Sequence, residues 1–274
     1  MAKETIVAVP TNMIAPTVAL HSIGLAIAEP DMSVRAGSGT LVQVGNVYGI
    51  LTAAHCVRAI KKYAKIDIAP LTADSDPIRI KMEMEVKHAA TIGLGETDTP
   101  DGPDLAFIRT PPNLTGWLKA ALSFVNLNRE PREFEGADRC FGVFGIVNTL
   151  TNSKAEIDAK TKGVILGAVF SNGEIKAEKK KDWYDSFEFT HTGYKDFALL
   201  EDFEGASGGS VWKIFFKHHG RKGVVVGHEL WGVPYWQYNN DDGGKTLICH
   251  GRAGIYGRLL QQIKESWPDE TRAK

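Results

Sequence analysis

The chain has 274 residues, of which 43% are hydrophobic and 24% are charged, and its formal net charge is -1. This composition is that of a globular protein and argues against wholesale disorder. The balanced charge argues against nucleic acid or an anionic membrane surface as a partner. No apolar run is long enough to cross a bilayer as a helix. The three cysteines are an odd number and lie far apart, which indicates free thiols in a reducing cytoplasm rather than a disulfide framework.

The segment from Ile14 to Ala28 is apolar and ends in small residues, as a signal peptide does. Pro16 and His21 interrupt it, and the charge of Lys3 is cancelled by the glutamate next to it. We therefore expect this segment to be kept in the folded chain, where its end supplies a strand.

Beyond residue 20, short runs rich in Val, Ile, Leu and aromatic residues are separated by Gly, Pro, Asn and Asp, a pattern typical of strands. The runs at 39–44 and 47–52 are joined by Gly45-Asn46, which predicts a β-hairpin with a two-residue turn. Further strands are predicted at 65–68, 78–86 and 105–109. Together these strands predict a first β-barrel over about residues 18–110.

Pro111-Pro112 ends this unit, and residues 111–135 are interpreted as a linker that crosses to a second set of strands. That set is predicted at 140–148, 164–170, 187–192, 210–216 and 224–236.

Two polar stretches, 151–162 and 173–182, are predicted to be exposed loops, and the run of lysines at 179–181 is expected to be solvated. Near the end of the chain, apolar residues recur at helical spacing over 256–266 and stop before Pro268, which predicts a C-terminal helix.

One stretch frames a serine with glycines, Gly205-Ala206-Ser207-Gly208-Gly209-Ser210. Glycine lets the backbone turn sharply and lets a ligand approach the amides closely. If the Ser207 hydroxyl attacks a carbonyl carbon, the amides of Gly205 and Ser207 are placed to face the oxygen that gains charge. Taken alone, such a hexamer is equally typical of a plain turn.

A serine hydroxyl needs a base that titrates near neutral pH, and histidine is the side chain that does so. His55 lies among small residues at the end of a predicted strand, which would leave room for a substrate. Asp104 precedes an apolar strand and is expected to be buried, where it would fix the tautomer of His55. Asp98 and Asp101 lie in the preceding loop and are expected to be more hydrated. A structural histidine and a turn-forming aspartate are the alternative interpretations.

The segments Thr52-Ala53-Ala54-His55-Cys56, Asp104-Leu105-Ala106-Phe107-Ile108 and Gly205-Ala206-Ser207-Gly208-Gly209 occur in the order and spacing of the chymotrypsin/trypsin-like serine proteases. Over about residues 20–267 the sequence resembles that family. The segment 232–236 resembles the strand that lines its substrate cleft, and 254–256 its C-terminal end. The resemblance implies an all-β fold of two packed six-stranded antiparallel Greek-key barrels with a C-terminal α-helix.

The resemblance also implies a serine endopeptidase that cleaves proteins or peptides through an acyl-enzyme, with no cofactor and no metal. His55 becomes the general base, Asp104 its orienting partner and Ser207 the nucleophile, while the amides of Gly205 and Ser207 form the oxyanion hole. The implied layout is a first barrel with its N-terminal segment at 1–110, a linker at 111–135, a second barrel at 136–255 and a helix at 256–267. Substrate binding is assigned to Glu201, Glu204, Tyr235, Trp236 and Gly254.

The sequence also departs from the family's pattern. Ala206 stands where zymogen-activated members have an aspartate that pairs with a new N-terminus, so we expect a site that forms without such processing, as in bacterial and viral members. Gly37 or Ser38 replaces the cysteine that pairs with the one after the histidine, so Cys56 is expected to be an unpaired, buried thiol. Ser210 replaces a proline, and the sequence offers no interpretation of that change.

Substrate preference stays open at this point. Glu201 lies six residues before Ser207, and the resemblance implies that this is the base of the specificity pocket, where an acid favours Lys or Arg at P1. The alternative is that Glu201 is a solvated residue of an exposed loop. In a rival register, His228 lies on the cleft strand, where glutamate-specific relatives have a histidine. The long polar loops are candidate contacts for a regulatory protein partner.

Two functions from other classes are alternatives. One is a catalytically silent module that holds a peptide in a protease fold. The other is a metal site, although neighbouring residues on a strand point to opposite sides, which disfavours it. The residues considered for the metal site are His218, His219, His228, Cys249 and His250.

Overall fold

The computed structural model begins with helix α1 (Thr11–Ala19), which precedes two β-rich units. No helix in the described part of the chain is long and apolar enough to cross a membrane. The structure describes residues 11–28, 34–71, 82–86, 89–95, 99–129, 132, 134–148, 152–158, 161–191, 203–219, 222–240 and 244–272.

The first unit is an 8-stranded sheet. Its strands are β1 (Ser22–Ala28), β2 (Val34–Val44), β3 (Val47–Thr52), β4 (Lys65–Pro70), β5 (Met82–Glu85), β6 (Thr91–Leu94), β7 (Leu105–Arg109) and β8 (Val125–Asn126). Their order is β5-β4-β1-β2-β3-β7-β6, and the short β8 pairs in parallel with β2. The predicted hairpin is confirmed as β2 and β3, with Gly45 in the left-handed region at φ 58°.

Two short helices accompany these strands. Helix α2 (Ala54–Ile60) follows β3, and helix α3 (Pro112–Ala121) lies within the stretch interpreted from sequence as a linker. Proline is favoured in the first turn of a helix because its missing N–H would be unpaired there anyway. Pro111-Pro112 therefore begins a helix as well as ending a strand.

The second unit is a closed six-stranded barrel of order β12-β13-β16-β15-β14-β9, with a separate hairpin of β10 and β11. Its strands are β9 (Asp138–Ile146), β10 (Asn152–Asp158), β11 (Thr161–Ile165), β12 (Ala168–Lys180), β13 (Asp185–His191), β14 (Ser210–His219), β15 (Lys222–Asn239) and β16 (Lys245–His250). The chain continues through a π-helical turn (Ala253–Leu259) into helices α4 (Leu260–Ser266) and α5 (Pro268–Thr271).

The predicted loops at 151–162 and 173–182 are wrong, because β10, β11 and most of β12 occupy them. The outer half of β12 is exposed from Lys176 to Lys180, so its polar sequence carries no apolar alternation. Its strand conformation comes from pairing with β13, for example Lys176 with Glu188. The single strand predicted at 164–170 is divided between β11 and β12.

The fold-class prediction is confirmed: the protein is all-β, with two antiparallel units and a C-terminal helix. Strand β7 shows why the units pack together. Ala106 and Ile108 face the interior of the first unit, whereas Leu105 and Phe107 face a core shared with the second unit. Side chains alternate between the two faces of a strand, so a continuous apolar run marks a strand buried on both sides.

Candidate active site

The pairing of β3 with β7 brings His55 and Asp104 together. Thr52 lies opposite Ala106, and in an antiparallel pair each step forward on one strand matches a step back on the other. The residues just beyond the paired ends therefore meet. The His55 amide donates to Asp104 Oδ1 at 2.7 Å, and the His55 Nδ1–H donates to Asp104 Oδ2. A carboxylate only accepts, so Nδ1 carries the hydrogen and Nε2 is left free to act as a base.

A second histidine lies behind the aspartate. Asp104 is 2% exposed, and its backbone N–H donates to Nε2 of His250 at 2.8 Å. The His250 ring stacks on Tyr235, with centroids 4.3 Å apart. Its Nδ1 is buried without a partner among the described residues. Burial lowers the pKa of His250 to about 4, so the ring is neutral and keeps the lone pair that Asp104 needs.

The pKa of His55 is shifted in the opposite direction. Burial by itself lowers its pKa, but hydrogen bonds to Asp104 and to the Cys56 thiol and the charge of Asp104 outweigh burial and raise the pKa above its ordinary value. The ring is about one third exposed, with 34% of its side chain accessible. His55 is therefore both open to a substrate and stabilised in its protonated form, as a general base must be after it takes a proton.

The serine loop adopts a conformation that only glycine permits at two points, since Gly205 and Gly208 have φ values of 96° and 81°. A Cβ on Gly208 would lie 2.0 Å from Thr52 Oγ1. The Gly208 amide donates to Pro234 O at 2.9 Å. The loop is thus pressed between β3 and β15, directly beside the segment that carries His55.

The backbone of Ser207 lies next to that segment. Its carbonyl accepts from the Cys56 thiol at 3.7 Å, and Cys56 follows His55 in the chain. No hydrogen bond among the described residues joins the Ser207 hydroxyl to the His55 ring, and none is donated by the amides of Gly205 and Ser207. Catalytic hydrogen bonds are often long in a free enzyme and shorten when substrate binds. Unengaged amides are what an oxyanion hole requires.

A cavity of about 300 Å³ lies in a groove between the two units. Pro100 and Asp101 line it from the first unit, and Trp236 and Tyr238 line it from β15 together with charged residues of β12 and β13. Both aromatic side chains are more than one third exposed, at 38% and 37%. None of the three predicted catalytic residues lines this cavity, and Trp236 is the sequence-predicted substrate residue that does.

The other predicted substrate residues have different surroundings. Tyr235 is 2% exposed, and its hydroxyl donates to Pro100 O at 2.8 Å, so it holds the first unit against the second. Glu204 is exposed, and its carbonyl accepts from the Asn148 amide. The Gly254 amide donates to Asp185 Oδ1 at 3.2 Å. Glu201 lies outside the described residues.

The histidine of the rival register has its contacts away from the serine loop. His228 Nε2 lies 3.0 Å from His21 Nε2, and both rings pack against Trp212. His218 forms an ion pair with Asp138. Within the described ranges, no three His, Cys, Asp or Glu side chains are grouped closely enough to hold a metal ion.

The structure shows the surroundings of Cys56 and Ser210, the two residues affected by departures from the family's pattern. All three cysteines are free, and Cys56 is 8% exposed. Ser210, which replaces a proline, accepts a hydrogen bond from Trp212 Nε1 at 2.6 Å through its buried hydroxyl.

Sequence reasoning missed two residues of this site. His250 was considered only as a metal ligand, and Ser38 only as the replacement of a cysteine. His250 is 146 residues from the aspartate it contacts, and Ser38 is 167 residues from the glycine it contacts. No local pattern in the sequence marks either contact.

No protein-family model matches the chain. No curated protein sequence matches it either. Among solved structures it is similar to a thermostable serine protease AL20 from an extremophilic microorganism, with 13% identity over 93% of this chain and 99% of that chain and a TM-score of 0.47. It is also similar to the serine endoprotease from Yersinia pestis, with 17% identity over 95% of this chain and 67% of that chain and a TM-score of 0.46. A third is the human pathogenic astrovirus serine protease, with 15% identity over 85% of this chain and 90% of that chain and a TM-score of 0.40.

The two main sheets, the C-terminal helices and the groove between the units form the all-β architecture that the sequence resemblance implies. Because a fold can host unrelated functions, any activity has to come from the particular residues of the groove.

Proposed function

We propose that the protein is a serine endopeptidase that uses Ser207, His55 and Asp104 as its catalytic triad. The observation that carries the proposal is the double hydrogen bond from His55 to the buried Asp104, which fixes the ring with Nε2 facing away from the carboxylate. A histidine held in this way has the tautomer that a general base needs to take a serine hydroxyl proton, which supports the proposal.

The proposed reaction runs through an acyl-enzyme. Ser207 Oγ attacks the substrate carbonyl carbon as its proton moves to His55 Nε2, and the amides of Gly205 and Ser207 bind the oxygen that becomes negative. His55 then gives the proton to the leaving amine. Water, deprotonated by the same nitrogen, attacks the acyl carbon and restores the serine. Asp104 stays ionised and stabilises the imidazolium that forms in each half-reaction.

The substrate is proposed to be an extended peptide lying along the groove, with Trp236 as an apolar contact. The preference at P1 is proposed to be basic, on the sequence position of Glu201. A panel of fluorogenic peptides with Arg, Lys, Glu or Leu at P1 tests it, and faster cleavage after Glu or Leu than after Arg and Lys would contradict it.

The activity itself is tested with a fluorophosphonate probe, which labels an activated serine. The wild-type protein should be labelled and should cleave peptides, whereas Ser207→Ala should lose labelling and about 10⁶-fold in kcat. Ser22→Ala is the control, since it removes a serine hydroxyl that is buried and donates to Val18 O at 3.1 Å. Labelling that survives in Ser207→Ala would contradict the assignment of Ser207 as the nucleophile. A wild type that is not labelled would leave the silent peptide-binding module as the better assignment.

A further inference from the structure

The serine loop, residues 205–210, has few side chains that could fix its backbone conformation. Between Gly205 and Ser207 stands Ala206, a 2% exposed methyl group that neither donates nor accepts a hydrogen bond. Inside the loop the Gly209 amide donates to Ala206 O at 2.9 Å. The amides of Gly205 and Ser207 must nevertheless be held at a fixed angle if they are to receive an oxyanion. Groups outside the loop have to supply that restraint.

Ser38, on β2 of the first unit, contacts the loop through its side chain. It is 1% exposed, and its hydroxyl donates to Gly205 O at 2.8 Å. The same hydroxyl accepts from the backbone N–H of Ile146, on β9, at 2.8 Å. One hydroxyl thus connects the first unit to two separate segments of the second.

The backbone of Ser38 contacts the same loop. Its N–H donates to Ser207 O at 3.1 Å, and its carbonyl accepts from Thr52 Oγ1 at 2.8 Å. Ser38 therefore binds the carbonyls of Gly205 and Ser207. These carbonyls belong to the peptide units directly before and directly after the unit that carries the Ser207 N–H. With both neighbours anchored, that central peptide unit has little freedom to rotate.

We propose that Ser38 is a positioning residue that holds the Gly205 and Ser207 amides in the orientation an oxyanion requires. This inference rests on the proposed function and adds to it a residue that does not touch the substrate.

The surroundings of Ser38 leave little choice of side chain. A Cβ on Gly145 would lie 3.0 Å from Ser38 Oγ, so the glycine leaves room for the hydroxyl. Replacing Ser38 with alanine would leave the partly buried Gly205 O and the buried Ile146 N–H without that partner. Such groups are costly to leave unpaired, and a loop carbonyl can regain a partner only by turning.

The test compares Ser38→Ala with Ser22→Ala, since both remove a buried hydroxyl that donates to a backbone carbonyl. Acylation is followed as the rate of fluorophosphonate labelling and as kcat and KM on a peptide that the wild type cleaves, with melting temperatures measured in parallel. Ser38→Ala should acylate about 10- to 100-fold more slowly, in kcat rather than KM, because small misplacements of catalytic groups have effects of this size. Ser22→Ala should acylate at the wild-type rate.

Two further measurements separate positioning from a general loss of structure. Thr52→Val removes the hydrogen bond that the Ser38 carbonyl accepts, with little change of side-chain volume. It should also slow acylation, and it supplies the test if Ser38→Ala does not fold. The pH midpoint of kcat/KM should stay unchanged in Ser38→Ala, because His55 and Asp104 keep their contacts. Wild-type acylation by Ser38→Ala, or an equal slowing in Ser22→Ala, would overturn the inference. An unlabelled wild type would instead overturn the proposed function.

Discussion

His55 owes its orientation and part of its raised pKa to one carboxylate. Asp104 accepts from both the amide and the ring of His55, and its charge contributes to the raised pKa of that ring. In the proposed mechanism, the base form of His55 is the form that reacts. Activity should therefore rise with pH, with a midpoint in kcat/KM above the roughly 6.5 of a free imidazole.

Asp104→Asn tests this pairing. The amide removes the negative charge and favours the wrong tautomer, so kcat should fall by about 10⁴-fold. The midpoint of the pH profile should move to lower pH, because the charge that raises the pKa of His55 is gone. The profile is measured as kcat/KM from mildly acidic to mildly alkaline pH for both proteins. A variant that loses rate but keeps the wild-type midpoint would contradict the assignment of Asp104.

Among the elements, the C-terminal helices have a role beyond ending the second unit. Trp267, between α4 and α5, packs against Phe107 of β7 with centroids 6.0 Å apart, and Arg109 lies over its ring at 5.1 Å. The carbonyl of Glu270 accepts from the Asn46 amide at 2.8 Å, in the turn between β2 and β3. The end of the chain thus fastens the first unit, which holds His55 and Asp104.

Trp267→Ala should lower the free energy of unfolding by about 2 kcal/mol, somewhat less than for a fully buried tryptophan because Trp267 is only half-buried. The matched control is Glu270→Gln, which removes an ion pair with Arg109 at 2.6 Å between partly exposed groups. Such a pair should contribute less than about 1 kcal/mol. Urea unfolding measures both, and equal losses would contradict the packing role of Trp267.

At the scale of the whole molecule, stability depends on histidines that are buried and neutral in the folded protein. Burial lowers the pKa of His21 to about 4, with a further contribution from His228, and burial lowers that of His250 to about 4. An unfolded histidine takes up a proton below about pH 6.5, so each of these groups makes the folded state less stable as pH falls from about 6.5 toward 4. Folding raises the pKa of His55, so the effect of this residue on stability is the opposite. Its stabilising contribution is complete below about pH 6.5 and is lost as pH rises above that value.

Urea unfolding at neutral pH and at a pH just above 4 should show this loss of stability in acid. In His250→Gln, whose amide oxygen can still accept from Asp104 N–H, the loss should be smaller by roughly 3 kcal/mol, at about 1.36 kcal/mol for each pKa unit. His218→Gln is the comparison, since His218 lies on the surface of β14 with Nε2 3.3 Å from Asp138, and not in a buried site. The same acid loss in His250→Gln as in the wild type would show that His250 does not titrate on unfolding.

Strands with an apolar face could be predicted, because alternation of side chains is a local property. The hairpin of β2 and β3 and strand β7 follow from such patterns. Strand β12 could not be predicted, because its exposed half is polar and is a strand only through its pairing with β13. Helix α3 was missed for a different reason: a proline pair can end a strand or begin a helix, and only the packing of residues 113–121 selects the helix.

The sequence by itself determined which groups form the proposed triad, since the types and order of His55, Asp104 and Ser207 can be read without coordinates. Only the tertiary structure decided what supports them. The hydroxyl of Ser38 reaches Gly205 and the ring of His250 reaches Asp104 across more than a hundred residues of chain. Such contacts arise from the pairing of strands and the packing of two units, and neither leaves a mark on the residues next to them in the chain.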